Sequence, residues 1–114
     1  MYDDLYCKVF LDTKLSYEEL FSIIMKYIGG NQEALSYINT DWCEISVRKN
    51  KEYSETQYSR DMGDFIYWRY YLDVEPMGVE ENLYIRKLSD LLTYLKGYCG
   101  GIIASCDFEK KLGD

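Results

Sequence analysis

The chain has 114 residues, with 20 acidic and 13 basic side chains and a formal net charge of −7. This length is typical of one domain and allows a core without a disulfide or metal as a staple, so we expect a single domain over residues 1–114. The acidic balance argues against nucleic acid and anionic lipid as direct ligands, because both need clustered Lys and Arg. It favours a basic protein partner reached by electrostatic steering.

Residues 5–12, LYCKVFLD, alternate between apolar and mixed side chains, which is typical of a half-buried strand. Ser16 and Glu19 in the following SYEE have the spacing of a capping box. The glycine pair at 29–30 supplies the left-handed residue that ends many helices. A helix is therefore expected over residues 16–29.

The middle of the chain is less regular. Residues 31–40, NQEALSYINT, are consistent with either a short helical turn or an irregular crossover. Residues 41–49, DWCEISVRK, alternate again and predict the second strand, with Trp42 on its mixed row. Residues 50–64 are polar without a clear period and predict a long loop or the tip of a hairpin, a length that is often functional.

Residues 65–76, FIYWRYYLDVEP, predict the third strand, which ends at Pro76 because proline cannot donate to the ladder. Its more apolar row is expected to face the core: Ile66, Trp68, Tyr70, Leu72 and Val74. Residues 77–101 predict the second helix, with acidic residues in its first turn and Lys96 in its last. Residues 102–108, IIASCDF, predict a last strand.

The predicted order is strand, helix, strand, strand, helix, strand (βαββαβ). Two split units of this kind form a four-stranded antiparallel sheet with both helices on one face, the ferredoxin-like two-layer sandwich of the α+β class. Right-handed crossovers are expected to place the first and last strands at the sheet centre.

Both helices cover one face of this sheet, so the mixed rows define an open face: Tyr6, Lys8, Phe10, Trp42, Glu44, Ser46, Arg48, Tyr67, Arg69, Tyr71 and Asp73. Cross-strand ion pairs, Glu44 with Arg69 or Lys8 with Asp73, depend on the register. One interpretation is a solvated face, because tyrosine suits strands. A second is a platform that stacks single-stranded RNA, which the charge opposes and for which the glycine-rich basic motif is missing. The third is a protein-binding surface, since Tyr, Trp and Arg are enriched in interface hot spots.

Catalytic signatures are missing from the sequence. There is no histidine, no phosphate-binding glycine motif and no CxxC pair. Asp73 and Glu75 share a strand face, but two carboxylates make a weak cation site. Cys99 or Cys106 as a nucleophile has no visible base. We expect no enzymatic activity, no cofactor and no metal.

Compartment follows from the cysteines and the N-terminus. The four cysteines, Cys7, Cys43, Cys99 and Cys106, lack the spacing of a metal site, and a disulfide framework is the alternative to free thiols. MYDDLYCKVFLD lacks a signal-peptide pattern, and no apolar run reaches the length of a membrane helix. We expect a cytoplasmic protein with four thiols.

The strand FIYWRYYLDVEP followed by the helix VEENLYIRKLSDLLTYLK, in a short acidic chain without a targeting signal or catalytic set, resembles the small cytoplasmic immunity proteins of bacterial polymorphic and contact-dependent growth-inhibition toxin systems. The resemblance implies binding to a cognate toxin domain, often a basic nuclease, whose active site or substrate groove is blocked. Asp and Glu would mimic the charge of the substrate, and Tyr and Trp would anchor the complex.

Under this interpretation, the partner-binding residues lie in the long loop and on the third strand: Tyr53, Tyr58, Asp61, Asp64, Tyr67, Arg69, Tyr71 and Asp73. The alternative is a ferredoxin-like regulatory or small-ligand-binding domain that homodimerises through its open sheet face and hides Trp42 there.

Overall fold

The fold is seen in a computed structural model of the chain, which describes residues 4–34, 36–51, 53, 65, 66 and 68–112. Its two helices are α1 (Tyr17–Ile28) and α2 (Glu81–Leu95). Its strands, in chain order, are β1 (Cys7–Asp12), β2 (Asn31–Ala34), β3 (Tyr37–Asn39), β4 (Cys43–Lys49), β5 (Tyr70–Pro76) and β6 (Gly101–Ser105). A 3₁₀ turn over Glu109–Lys111 follows the last strand.

The six strands form one sheet in the order β2-β3-β4-β5-β1-β6, and every neighbouring pair is antiparallel. The predicted four-stranded ferredoxin-like sandwich is therefore wrong, because two additional strands extend the sheet beyond β4. The predicted central position of the last strand is also wrong, since β6 lies at an edge of the sheet beside β1.

The additional strands come from residues 31–40, the segment for which a helical turn and a crossover were both consistent with the sequence. Tyr37 lies opposite Ser46 and Ile38 opposite Ile45, so β3 continues the ladder of β4. Ile38 is fully buried. Strands of four and three residues are too short for alternation to be recognised, which is why the sequence pattern missed them.

Helix α1 confirms the predicted capping box. The Ser16 hydroxyl accepts from the Glu19 backbone N–H at 3.1 Å, and the Glu19 carboxylate accepts from the Ser16 N–H at 2.9 Å. Gly29 ends the helix in the left-handed conformation, with φ at 67°. Neither α1 nor α2, the helices in the described part of the chain, combines the length and apolar character needed to cross a membrane.

Both helices pack against the same face of the sheet and share one core with it. The alternating rows of the strands supply one side of that core: Cys7, Val9, Leu11, Cys43, Ile45, Val47, Tyr70, Leu72 and Val74. The helices supply the other side: Leu20, Ile24, Tyr84, Ile85, Leu88, Leu91, Leu92 and Leu95. Tyr84 is fully buried, and its hydroxyl donates to the carbonyls of Leu5 at 2.8 Å and Val74 at 3.3 Å. Neither α1 nor α2 lies on the remaining face of the sheet, where the ring of Phe65 packs 5.0 Å from that of Phe10.

The third predicted strand begins later than its alternation suggests, at Tyr70. The Asn50 side-chain amide donates to the carbonyls of Ile66 at 2.8 Å and Trp68 at 2.6 Å, so the backbone bends before the strand. Ile66 is 44% exposed, which contradicts its expected place in the core. Trp68 is buried, but its indole ring lies on the sheet face opposite the helices. It packs against Gly101 at the position where a Cβ of that residue would be.

Three other boundaries differ from expectation. Trp42 precedes β4 and is 5% exposed, with its ring 6.0 Å from that of Tyr84, so it belongs to the core and not to the open face. Helix α2 begins after the cap residue Glu80, whose carboxylate accepts from the Asn82 N–H at 2.8 Å, and it ends at Leu95. β6 ends at Ser105, after which the chain turns and buries Phe108.

Candidate functional site

The candidate site lies on the sheet face opposite the helices, on the part that β1, β3, β4 and β5 form. The register across β1, β5 and β4 forms two rows of side chains on this face: Lys8, Asp73 and Ser46, then Phe10, Tyr71 and Arg48. Glu44 lies directly opposite Glu75 between β4 and β5. Alternation therefore places charged and aromatic groups side by side, as the sequence predicted for this face.

Four carboxylates lie close together at one end of this surface: Asp4, Glu44, Asp73 and Glu75. We call this end of the surface the acidic face. Partial burial raises the pKa of Glu75, and the negative charges of Asp4, Asp73 and Glu44 raise it further. Like charges placed opposite each other in a sheet destabilise it. The acidic face therefore carries negative charge that the free protein does not fully compensate.

Two tyrosine hydroxyls hold carboxylates of the acidic face in place. Tyr6 donates to Asp73 Oδ1, and Tyr37 donates to Glu44 Oε1 at 2.6 Å. Burial and the hydrogen bond to Asp73 raise the pKa of Tyr6, and the hydrogen bond to Glu44 raises the pKa of Tyr37. Both hydroxyls are therefore protonated donors at neutral pH, and both carboxylates have a fixed orientation.

Two cationic side chains on the same sheet face contact groups of this chain, one an aromatic ring and the other a carboxylate. Lys8 Nζ lies 4.2 Å from the ring centroid of Tyr71, a cation–π distance. Arg48 Nε lies 3.6 Å from Asp73 Oδ2, with half of the arginine side chain exposed. The register places Lys8 opposite Asp73, as the expected Lys8–Asp73 pair needs, but the ion pair seen at Asp73 is with Arg48. Glu44 is opposite Glu75 and not Arg69, so the other suggested pair is wrong.

The eight predicted site residues fall into three groups. Tyr71 and Asp73 lie on the open face. Tyr53 and Arg69 lie together elsewhere, with Arg69 Cζ 5.4 Å from the Tyr53 ring. Four others lie outside the described residues: Tyr58, Asp61, Asp64 and Tyr67.

Tyr53 and Arg69 line a cleft of about 540 Å³ beside the start of α1. Its other walls are Lys14, Ser16, Tyr17, Glu18, Glu19, Lys49, Asn50 and Tyr70. Arg69 Cζ also lies 5.8 Å from the ring of Tyr70. The bend before β5 thus turns Arg69 away from the acidic face.

Five residues of the acidic face and its supports were not predicted as binding residues from the sequence: Asp4, Tyr6, Tyr37, Glu44 and Glu75. A signal existed for three of them, because Tyr6, Glu44 and Glu75 fall on the mixed rows of predicted strands. No signal pointed to Tyr37, since its strand was not recognised.

The acidic face offers hydrogen-bond acceptors, fixed aromatic rings and negative charge. Within the described ranges, no three His, Cys, Asp or Glu side chains converge as metal ligands. Burial raises the pKa of the Cys43 and Cys99 thiols to about 11, which keeps them protonated at neutral pH. No family model matches the chain, and neither a curated protein nor a solved structure was found to match it.

Proposed function

We propose that this protein is a cytoplasmic immunity protein, which binds and neutralises a cognate bacterial toxin domain with a basic surface and catalyses no reaction itself. The observation that carries this proposal is the acidic face, where Glu44 and Glu75 lie opposite each other beside Asp73 on the sheet surface that neither α1 nor α2 covers. The resemblance drawn from the sequence supports the same function.

The electrostatics of the acidic face favour a cationic partner. The pKa of Glu75 is raised in the free protein because burial and neighbouring carboxylates disfavour its charge. A Lys or Arg of a partner placed among Glu44, Asp73 and Glu75 would offset that repulsion. Complementary charge also raises the association rate and suppresses binding to acidic proteins.

The aromatic residues of the face supply the second component of binding. Tyr6 and Tyr37 are held by their hydroxyl groups, and the Tyr71 ring lies 4.2 Å from Lys8 Nζ and 6.1 Å from the Phe10 ring. Rings that are already fixed lose little conformational entropy when a partner covers them. These tyrosines are the anchors that would slow dissociation.

The competing function is a homodimer that pairs two open sheet faces. Its two-fold symmetry would bring a face with Glu44, Asp73 and Glu75 against a copy of itself. Like charges would then meet across the interface, which costs several kcal/mol in protein complexes. Burial of Trp42 cannot report on such a dimer, because this side chain is only 5% exposed in the single chain.

The proposal is tested by affinity capture of the tagged protein from its native host, followed by elution with salt. We expect one stoichiometric basic partner, and addition of this protein to the purified partner should abolish that partner's toxic or nuclease activity. Recovery of the protein alone, or of a partner whose activity is unchanged, would overturn the proposal. Light scattering on the recovered protein distinguishes a monomer from the competing homodimer.

A further inference from the structure

Cys7 and Cys106 face each other across the edge of the sheet. Cys7 is the first residue of β1, and Cys106 directly follows β6. The antiparallel register ends with Lys8 opposite Ser105, and one position further along both chains brings Cys7 beside Cys106, where the two side chains interact. The topology thus juxtaposes two thiols that are 99 positions apart in the sequence.

The two thiols differ in access and in ionisation. Cys7 is fully buried, whereas Cys106 is half-buried. They interact with each other, and this interaction lowers the pKa of Cys106 while it raises that of Cys7. A more acidic, more accessible thiol beside a buried one is the arrangement of an attacking cysteine with its resolving partner.

We propose that Cys7 and Cys106 form an oxidisable dithiol, which hydrogen peroxide converts into an intramolecular disulfide. The Cys106 thiolate attacks one oxygen of hydrogen peroxide and the O–O bond breaks as Cys106 becomes a sulfenic acid. The hydroxide that leaves takes up the proton that the Cys106 thiol had released, and one water results. The Cys7 sulfur then attacks the Cys106 sulfur, the S–O bond breaks and a second water leaves. The two thiols lose two electrons in total, and hydrogen peroxide gains them as it becomes two waters.

The backbone permits this bond with a small movement. Directly opposed Cβ atoms in an antiparallel pair lie about 4.5–5.5 Å apart, and a disulfide needs about 3.5–4.5 Å. Cys106 lies beyond the last paired residue of β6, Ser105, where the chain turns. The residue can therefore approach Cys7 without loss of a paired position between β1 and β6.

The disulfide would join the first strand to the C-terminal segment. That segment is otherwise held by burial of Phe108 and Leu112 in the core. A crosslink that closes a loop of this length restricts the unfolded chain strongly, so the oxidised protein should melt about 10 °C higher than the reduced protein.

The test is oxidation of the reduced full chain with hydrogen peroxide, followed by intact mass measurement and peptide mapping. We expect loss of two hydrogen atoms and a single crosslinked peptide pair that contains Cys7 and Cys106. The double variant Cys43→Ser/Cys99→Ser is the matched control, because it keeps only the proposed pair and should form the same crosslink. Cys106→Ser should remain monomeric and uncrosslinked under the same treatment.

Three results would overturn the proposal: a crosslink between any other pair of cysteines, stable addition of oxygen at Cys106 without a crosslink, or no reaction at peroxide concentrations that oxidise free cysteine. Mapping of the native chain decides among these results even if a serine variant fails to fold. The test does not depend on the acidic face or on a partner.

Discussion

The indole ring of Trp68 lies against the backbone of Gly101, and a Cβ added at Gly101 would be only 2.6 Å from Cη2 of the ring. Phe65 joins this contact, with its ring 6.5 Å from Trp68 and 5.0 Å from Phe10. The aromatic run at residues 65–76 therefore has two structural roles. Its first part covers one end of the sheet face opposite the helices, and only the part from Tyr70 onward is a strand.

Substitution Gly101→Ala should destabilise the protein by about 1–3 kcal/mol, because the new methyl group overlaps a buried ring. Trp68→Phe removes the ring atoms that collide, so the double variant should be more stable than the sum of the two single changes predicts. Urea unfolding of the four proteins measures this coupling. Gly97→Ala is the control, since its nearest neighbour would be 3.6 Å away. Equal stability of the two alanine variants would contradict the Trp68 packing.

Substitution Tyr84→Phe should cost about 0.5–1.5 kcal/mol of stability, because the carbonyls of Leu5 and Val74 lose a buried donor. Tyr27→Phe is the matched control, since Tyr27 is 43% exposed. The free energy of unfolding in urea checks both. If the two variants are equally stable, the Tyr84 hydroxyl does not link α2 to the strands.

Substitution Glu75→Gln should stabilise the protein at pH 7 and have no effect near pH 3. The folded-state pKa of Glu75 is raised, so its favourable contribution is complete below the unfolded-state value and is lost as the pH rises through the folded-state value. Because the side chain is largely exposed, we expect a gain of less than about 0.5 kcal/mol, or roughly 2 °C in Tm. Thermal melts from pH 3 to pH 7 test this, with Asp90→Asn on the far side of α2 as control. A loss of stability at pH 7 would show that the carboxylates do not repel.

The local elements that could be predicted from the sequence are those with a short-range cause. Ser16 and Glu19 define the start of α1 through bonds between neighbours in the chain, and the buried rows of β1 and β4 follow from alternation. Strands β2 and β3 were missed because four and three residues are too few for alternation to be recognised. The late start of β5 at Tyr70 was missed because it depends on Asn50, a residue distant in sequence whose side-chain amide binds the carbonyls of Ile66 and Trp68.

The same distinction holds for the candidate site. Tyr71 and Asp73 lie on the open face because the period of a strand requires it. Arg69 follows that period in the sequence but precedes the strand in the structure, where it lies over Tyr53. The meeting of Glu44 with Glu75 depends on the register between β4 and β5, which alternation alone does not specify.

The most direct test of the acidic face is the affinity of the captured partner for two charge variants. Glu44→Gln/Asp73→Asn/Glu75→Gln removes three charges from the face, and Asp90→Asn/Asp107→Asn/Glu109→Gln removes three exposed charges from α2 and the C-terminal turn. We predict at least about a tenfold loss of affinity, roughly 1.4 kcal/mol, and a weaker salt dependence for the first variant only. Equal affinities of the two variants at low salt would contradict the account.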